Sequence, residues 1–273
     1  MPLIEQSGNA VGNNFPNIKK CRMVDNPRIA VVIPALNEEK LLPHTLASID
    51  NALLQFTDPV IVVVVDNNSS DRTGQLARDS GAIVIFEENR RIASARQAGL
   101  NSLPTSVELV LTTDADTIVP PGWIGVYIHL LNQTEIAGAY GPVKYDFEES
   151  PSPGQELAFQ LWIFTSEIIR RIKRQNNMSI GSGANSAYRI DAVRDIGGYN
   201  TSLDRAEDTD LFRRLQNVGK IEKTTATVTT SNRRIVYRGL ASHFQRRLYA
   251  NLYFLIHNKW PTFSTEPRKN IRF

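Results

Sequence analysis

The stretch Glu108-Leu-Val-Leu-Thr-Thr-Asp-Ala-Asp-Thr-Ile-Val119 decides which fold this chain can adopt. A short apolar run bounded by polar residues is typical of a buried strand. Asp114 and Asp116 follow the run, and ligands bind at the carboxyl ends of strands in open α/β sheets. Alternate residues of an extended chain point to one side, so we expect both carboxylates to face one ligand. Such oxygen donors suit Mg²⁺ or Mn²⁺ shared with phosphates, although an isolated Asp-x-Asp is more commonly a solvated turn.

Strands and helices alternate before this stretch. Apolar runs at residues 28–34, 60–65 and 82–86 predict three more strands. Each is followed by a helical pattern, for which Asn37 and Asp71 are the expected caps of the first two helices. This rhythm with short loops predicts an α/β fold, in which a mainly parallel, twisted sheet carries helices on both faces.

The pattern is less regular after Asp116. Residues 138–145 predict a strand with a turn, residues 155–174 a long helix, and residues 181–188 a glycine-containing loop that runs into a short strand. Glu207 and Asp208 begin a further helix. The helix dipole favours carboxylates at that position in any case, so the position alone does not demonstrate a function.

Composition excludes several classes of protein. A chain of 273 residues with 41% hydrophobic and 22% charged residues can bury a large core, which excludes disordered and collagen-like proteins. The single cysteine, Cys21, excludes a disulfide framework and a thiolate zinc site. We find no secretory leader and no apolar window of ~20 residues that could span a membrane. We therefore expect a cytoplasmic protein.

Charge is distributed unevenly along the chain. From Ser231 onward there are nine Arg and Lys residues against one acid, whereas the preceding chain has 22 basic and 27 acidic residues. A basic end on an acidic domain indicates an anionic partner. The helix predicted over residues 240–259 mixes basic and aromatic residues, so it could lie on an anionic membrane surface or pack on protein. It lacks a recognised nucleic-acid-binding motif, so nucleic acid is not an expected partner.

Four pieces of sequence occur in an order that is known from one enzyme family. They are a strand with Pro34-Ala-Leu-Asn-Glu38, a strand with Asp66-Asn-Asn-Ser-Ser-Asp-Arg-Thr73, a strand with Asp114-Ala-Asp116, and Gly197-Gly-Tyr-Asn200 followed by Glu207-Asp208-Thr-Asp-Leu211. Together they resemble the family-two nucleotide-sugar glycosyltransferases, which have a Rossmann-like GT-A domain. The match covers about residues 28–219. It implies an inverting enzyme that moves a sugar from a nucleoside diphosphate sugar to an acceptor hydroxyl.

The resemblance also implies an organisation and a set of partners. We expect a flexible N-terminal arm at residues 1–27, a GT-A domain at 28–230 and a basic C-terminal helical segment at 231–273. The nucleotide-binding half would cover about 28–119 and the acceptor half about 120–230. Uridine diphosphate is the first expectation for the nucleotide, with guanosine diphosphate as the alternative. The acceptor would be a saccharide or a lipid-linked molecule in polysaccharide or glycolipid synthesis, and the enzyme would be peripheral on the inner face of the membrane.

The resemblance assigns donor binding to particular residues. Pro34, Ala35 and Glu38 would line the base and ribose, and Asp66 would accept a hydrogen bond from the base. Asp114 would hold the ribose or a metal-bound water, with Ala115 beside it. The candidates for contact with the diphosphate are all arginines, namely Arg91, Arg96, Arg233 and Arg234.

The resemblance assigns metal binding and catalysis to the remaining motif residues. Asp116 would ligate the Mg²⁺ or Mn²⁺ that bridges the diphosphate. His243 is a second candidate ligand, although a surface histidine in a basic helix is the commoner case. Asp208 would be the general base that removes the acceptor proton, and Glu207 would position the acceptor or Asp208.

Other functions fit parts of the sequence. Residues 109–117 also match the strand-Asp-x-Asp-x-Thr pattern of haloacid-dehalogenase-type phosphatases, in which Asp114 would accept a phosphoryl group, but that motif normally ends the first strand of its domain. A non-catalytic module could hold an anionic ligand with its basic end, but retention of Asp66, Asp114, Asp116 and Asp208 together argues against it. A dinucleotide-dependent oxidoreductase is a weaker alternative still, because Pro34-Ala-Leu-Asn-Glu38 follows the first strand where Gly-x-Gly-x-x-Gly would be required.

Overall fold

The computed structural model describes residues 26–146 and 181–233, together with the helical residues Glu156, Gln160, Phe164, Ile168, Tyr249 and Tyr253. The N-terminal arm through residue 25, with Cys21, lies outside this part of the chain. So do most of the helices predicted over residues 155–174 and 240–259, and with them Arg234 and His243. Among the described residues, no helix is long and apolar enough to cross a membrane.

The described chain alternates strands and helices through its first half and is more irregular later, as the sequence predicted. The strands are β1 (Ile29–Ala35), β2 (Val60–Asp66), β3 (Ile83–Phe86), β4 (Leu109–Thr112), β5 (Thr117–Ile118), β6 (Ile136–Tyr140), β7 (Val143–Asp146), β8 (Ser186–Arg189), β9 (Lys220–Lys223) and β10 (Val228–Ser231). The helices are α1 (Leu42–Leu53), α2 (Thr73–Asp79), α3 (Ile92–Asn101), α4 (Trp123–Leu131), α5 (Ile190–Asp195) and α6 (Glu207–Leu215).

The main sheet is mainly parallel. In the described residues its strand order is β3-β2-β1-β4-β8-β6-β9, and β1 to β4 run parallel. β8 is antiparallel to both neighbours, β4 and β6, which the sequence pattern did not indicate. A smaller sheet, β5-β10-β7, stands beside it. In register, Ala35 pairs with Asp66 and Val32 with Thr112, so the carboxyl ends of β1, β2 and β4 share one edge.

Helices cover both faces of the main sheet, as expected. One apolar layer contains Val31 and Ile33 together with residues of α1 and α4, and the other contains Ala30 and Val32 together with residues of α3 and α6. Because both faces are covered, Val60 to Val65 are all buried, which explains why β2 is uniformly apolar. The core therefore lies on both sides of β1 and β2 and holds their carboxyl ends rigidly at the edge.

The start of the first helix differs from the prediction. α1 begins at Leu42 with Pro43 in its first turn, so Asn37 is not its cap. Asn37 instead has a φ of 55° and uses its side chain in the loop contacts that are described below. Asp71 is not the cap of α2 either, because Arg72 occupies that position, although the Asp71 carboxylate accepts the backbone N–H of Thr73 at 3.0 Å where the helix begins.

Candidate active site

The loops after β1 and β2 are hydrogen-bonded to each other at the carboxyl edge of the sheet. The Asn37 side-chain oxygen accepts the N–H of Ser70 at 2.8 Å, and the Asn37 N–H donates to Ser69 Oγ at 3.1 Å. The Glu38 N–H donates to Thr73 Oγ1 at 2.8 Å. These contacts join the two sequence motifs into one surface. The sequence reasoning missed the part played by Thr73, which only the pairing of the loops makes visible.

The predicted base-binding residues lie together at this edge. Pro34 and Ala35 are buried at the end of β1, and the partly exposed Asp66 ends the adjacent β2. Asp66 Oδ1 accepts the N–H of Ser69 at 3.0 Å. A Cβ at Gly74 would lie 2.5 Å from Asp66 Oδ2, so the glycine leaves room for the carboxylate. This geometry is compatible with a carboxylate that faces a base N–H.

Asp114 and Asp116 do not alternate along an extended strand, which corrects the expectation from the sequence. β4 ends at Thr112. The Thr117 N–H donates to the Asp114 carbonyl at 3.2 Å, so residues 114–117 form a turn. Ala115 is buried in the turn, and its carbonyl accepts the Thr45 hydroxyl at 2.9 Å. Because of the turn, the two carboxylates meet different cationic partners.

Asp116 belongs to a buried group with Glu38 and Arg233. The Arg233 guanidinium donates to the Glu38 carboxylate, and its Nη2 lies 3.7 Å from Asp116 Oδ2. Thr230 Oγ1 in β10 lies 3.2 Å from Asp116 Oδ1. All three ionic side chains are at most 8% exposed. Arg233 follows β10 and thus links that end of the chain to the segments that follow β1 and β4. It lies beside Asp116, the predicted metal ligand.

The residues at Asp116 fit a divalent cation in one limited way. Within residues 26–146 and 181–233, no group of three or more His, Cys, Asp and Glu side chains could hold a metal by itself. Mg²⁺ sites that share the ion with a substrate need only one or two carboxylates, since phosphate oxygens and waters complete the shell. Asp116 supplies one carboxylate, and the nearby guanidinium shows that positive charge is accommodated at this position.

Asp114 belongs to a second buried group, which is centred on Arg96 in α3. Arg96 Nη2 donates to Asp114 Oδ1 at 2.7 Å, and Nε donates to Glu207 Oε1 at 3.3 Å. Nη1 donates to Thr112 Oγ1 at 2.5 Å. Carboxylates from two distant segments of the chain therefore share one guanidinium. Since Arg96 is only 2% exposed, its position argues against the predicted direct contact with a pyrophosphate.

Charge and burial act strongly on this second group. Burial raises the pKa of Glu207 to about 7, repulsion from Asp208 adds to the rise, and Arg96 opposes it. For Arg96 itself, burial opposes the charged form, but the carboxylates of Asp114 and Glu207 leave its pKa above the ordinary value. The guanidinium therefore stays charged, whereas Glu207 changes its protonation close to neutral pH.

Asp208 is held by the loop before β8. Its Oδ2 accepts the Gly183 N–H at 2.8 Å, and its Oδ1 accepts the Thr209 N–H at 2.6 Å. The residue before α6, Ala206, has a φ of 60° and caps the helix with no side chain, and Asp208 lies in the first turn, where the helix dipole favours its carboxylate. Half-buried and fixed by two N–H groups, its carboxylate lies beside Glu207 at the edge of the Arg96 group.

Asn185 is an organising residue that the sequence reasoning missed. Its side-chain oxygen accepts Trp123 Nε1 at 2.8 Å and Tyr127 Oη at 2.7 Å. Its amide nitrogen donates to the carbonyls of Pro142 and Ala226, both at 2.8 Å. Asn185 is fully buried and fixes the loop that carries Gly183. The glycine-containing run at residues 181–188 was the available signal, but by itself it has no specific meaning.

Arg91 lies apart from the Arg96 group, at the start of α3. Its Nε lies 3.3 Å from Asp204 Oδ1, and its guanidinium reaches the Thr201 carbonyl at 3.5 Å. Its side chain is 41% exposed. Of the two arginines proposed from the α3 region, Arg91 is the one that remains accessible to a ligand.

Comparison with known proteins identifies a family and several relatives. The family model for glycosyl transferase family 2 matches residues 30–197. The probable glycosyltransferase YdaM of Bacillus subtilis is 26% identical over 217 residues, which are 74% of this chain and 50% of YdaM. An undecaprenyl-phosphate 4-deoxy-4-formamido-L-arabinose transferase of Serratia proteamaculans is 37% identical over 101 residues, which are 34% of this chain and 30% of that protein. The chain thus spans half or less of the length of these relatives.

Solved structures resemble the fold over most of the chain. The mannosyltransferase PcManGT from Pyrobaculum calidifontis, in complex with GDP-Man and Mn²⁺, matches with a TM-score of 0.61 at 19% identity and covers 90% of this chain and 68% of its own. Glucosyl-3-phosphoglycerate synthase from Mycobacterium tuberculosis, in complex with Mn²⁺ and UDP-Glc, matches with a TM-score of 0.55 at 19% identity, over 91% of this chain and 84% of its own. These likenesses confirm the expected GT-A, Rossmann-like fold.

Proposed function

Because this chain belongs to glycosyl transferase family 2, we propose that it moves a sugar from a nucleoside diphosphate sugar to an acceptor hydroxyl. One observation carries the proposal: the carboxylate of Asp114, which follows β4, and that of Glu207, which begins α6, both pair with Arg96 at the carboxyl edge of the sheet. This pairing supports a site in which Asp114 acts on the donor side and Glu207 on the acceptor side of one sugar. Neither the phosphatase nor the binding module accounts for this convergence.

The donor would lie across the loops after β1 and β2. Pro34 and Ala35 would line the base and ribose, and Asp66 would accept the base N–H. A base without that donor would leave a desolvated carboxylate unpaired, which makes Asp66 a specificity device. Glu38 would take part only after its ion pair with Arg233 rearranges. Arg91 is the accessible candidate for neutralising the diphosphate, and the buried Arg233 would do so only after the same rearrangement.

Asp116 would hold the divalent cation, as Mg²⁺ or Mn²⁺. The ion would neutralise charge that develops on the departing nucleoside diphosphate. Asp116 is suited to this role because Thr230 orients its carboxylate and the positively charged Arg233 guanidinium lies 3.7 Å from it. The Mn²⁺ in the complexes of PcManGT and of glucosyl-3-phosphoglycerate synthase supports the choice of ion.

Asp208 would act as the general base. It would take the proton from the acceptor hydroxyl as the hydroxyl oxygen bonds to the anomeric carbon and the bond to the diphosphate oxygen breaks. Attack from the face opposite the leaving group inverts the anomeric configuration. The N–H groups of Gly183 and Thr209 orient the carboxylate for this step, and Glu207 would position the acceptor or Asp208.

The proposed nucleotide is uridine diphosphate, with guanosine diphosphate as the alternative. The proposed acceptor is a saccharide or a lipid-linked molecule, and the names of the undecaprenyl-phosphate and dolichyl-phosphate transferases among the relatives support the lipid-linked class. A peripheral position on the inner face of the membrane would follow from such an acceptor. The basic C-terminal residues and Tyr249, which is 53% exposed, are the candidates for contact with anionic lipid.

Calorimetric titration with uridine and guanosine diphosphates tests the donor site. Each nucleotide is titrated with Mn²⁺ and again with a chelator. We expect metal-dependent binding of one of them, which would also decide between the two bases. Binding of neither would refute the proposal, and release of phosphate from a small phosphomonoester would then favour the phosphatase.

A further inference from the structure

Arg96 makes a set of contacts that catalysis by direct substrate contact does not explain. Its side chain is 2% exposed, and each of its three side-chain nitrogens binds a different residue: Asp114 at 2.7 Å, Glu207 at 3.3 Å and Thr112 at 2.5 Å. Burying a guanidinium with carboxylates costs desolvation that the pairing only partly offsets. The ion pairs of a buried arginine are therefore weak evidence that it stabilises the fold. A role in positioning the groups that it binds is the alternative explanation.

Arg96 also contacts the loop that holds the proposed base. A Cβ at Gly183 would lie 2.2 Å from Arg96 Nη2 and 2.8 Å from its Cζ, so position 183 has no space for a side chain. The N–H of the same glycine donates to Asp208 Oδ2 at 2.8 Å. The guanidinium thus packs directly against the backbone that orients Asp208.

We propose that Arg96 is a positioning residue, which holds Asp114 on the donor side and Glu207 and the Gly183 loop on the acceptor side in one fixed arrangement. This inference rests on the proposed function. Arg96 acts through the groups it holds and does not touch the nucleotide. Its removal should therefore impair the transfer step more than nucleotide binding.

The test compares Arg96→Gln and Arg96→Lys with wild type and with the control Arg28→Gln, whose side chain forms an exposed ion pair with Glu108. The nucleotide sugars UDP-glucose and GDP-mannose are supplied with Mn²⁺, and release of the nucleoside diphosphate gives kcat and KM with water or a saccharide as acceptor. Calorimetry gives the Kd of the free diphosphate. We expect Arg96→Gln to lower kcat by about 10²-fold, as misplaced catalytic groups commonly do, and to change Kd by less than about threefold.

The conservative variant and a double variant separate positioning from folding. Lysine keeps the charge but offers one nitrogen in place of the three that Arg96 uses, so Arg96→Lys should recover only part of the lost kcat, less than about tenfold. Arg96→Gln combined with Glu207→Gln should lose little more than Arg96→Gln alone, because residues that act as a unit are not additive. If Arg96→Gln does not fold, Gly183→Ala provides a second test, since it keeps the charge and displaces the guanidinium from the loop that orients Asp208.

The outcomes distinguish this inference from the proposed function. No turnover and no nucleotide binding by wild type would refute both. An active wild type with normal kcat in Arg96→Gln and Gly183→Ala would refute only the positioning role. Unchanged kcat with a large rise in the Kd of the diphosphate would also overturn it, because Arg96 would then act on the donor directly.

Discussion

Glu207→Gln should change how the stability of this protein depends on pH. Burial and the neighbouring Asp208 raise the pKa of Glu207 to about 7 from an ordinary 4.5. The pKa of Glu207 is higher in the folded state than in the unfolded state. Its contribution to the free energy of unfolding is therefore fully present below about pH 4.5 and is lost as the pH rises through 7. Glutamine cannot lose a proton, so the variant should lack this loss.

The magnitude follows from linkage. Each pKa unit corresponds to about 1.4 kcal/mol. Between about pH 5 and pH 8.5, the free energy of unfolding of wild type should therefore fall by on the order of 2 to 3 kcal/mol relative to that of the variant. For a domain of this size that is roughly 5 to 10 °C in melting temperature. Only the ionised carboxylate pairs with Arg96, so the effect of this ion pair is already contained in the pKa of Glu207 and adds no separate offset. The groups that face Glu207 are Arg96, Asp114, Asp208 and Tyr199.

Thermal unfolding followed by circular dichroism at half-unit pH steps would measure the difference between the two proteins. Burial raises the pKa of Tyr199 to about 12, so this neighbour does not titrate in the window. Glu108→Gln is the matched control, because Glu108 is exposed and its hydrogen bond from Arg28 lowers its pKa. A difference between wild type and Glu207→Gln that is flat from pH 5 to 8.5 would refute the reasoning.

Three further predictions concern the proposed chemistry and the packing beneath it. Asp208→Asn should lower transfer by about 10²- to 10⁴-fold, as loss of a general base does, while nucleotide binding measured by calorimetry stays nearly intact; full transfer activity would remove the base assignment. Asp116→Ala should abolish the gain in nucleotide affinity on adding Mn²⁺, and an unchanged metal dependence in the same titration would contradict its role as ligand. Gly181→Ala should destabilise the fold by about 1 to 3 kcal/mol in urea unfolding, because overpacking is costly. Its Cβ would lie 2.1 Å from a ring carbon of Phe212, whereas a Cβ at Gly125 would meet nothing within 4 Å, so Gly125→Ala should be neutral or slightly stabilising, and equal effects would argue against this packing.

The sequence by itself determined the fold class and the edge at which the motif residues lie. The apolar runs at β1, β2 and β4 are local patterns, and a buried parallel strand needs such a run whatever its neighbours are. Pro34, Asp66 and Asp114 follow directly from those runs. Their meeting at one edge follows because parallel strands end together. The start of α1 was less predictable, since Asn37 serves the neighbouring loop and not its own helix.

Only the tertiary structure decided which ionic side chains pair with each other. Asp114 and Asp116 are separated by one residue, yet a turn sends the first to Arg96 and the second to Arg233. The antiparallel β8 brings the Gly183 loop beside β4, where that loop orients Asp208. Pairings of this kind join residues that are far apart in the chain. They depend on strand register and on the space that a missing Cβ leaves, and neither of these has a local sequence pattern.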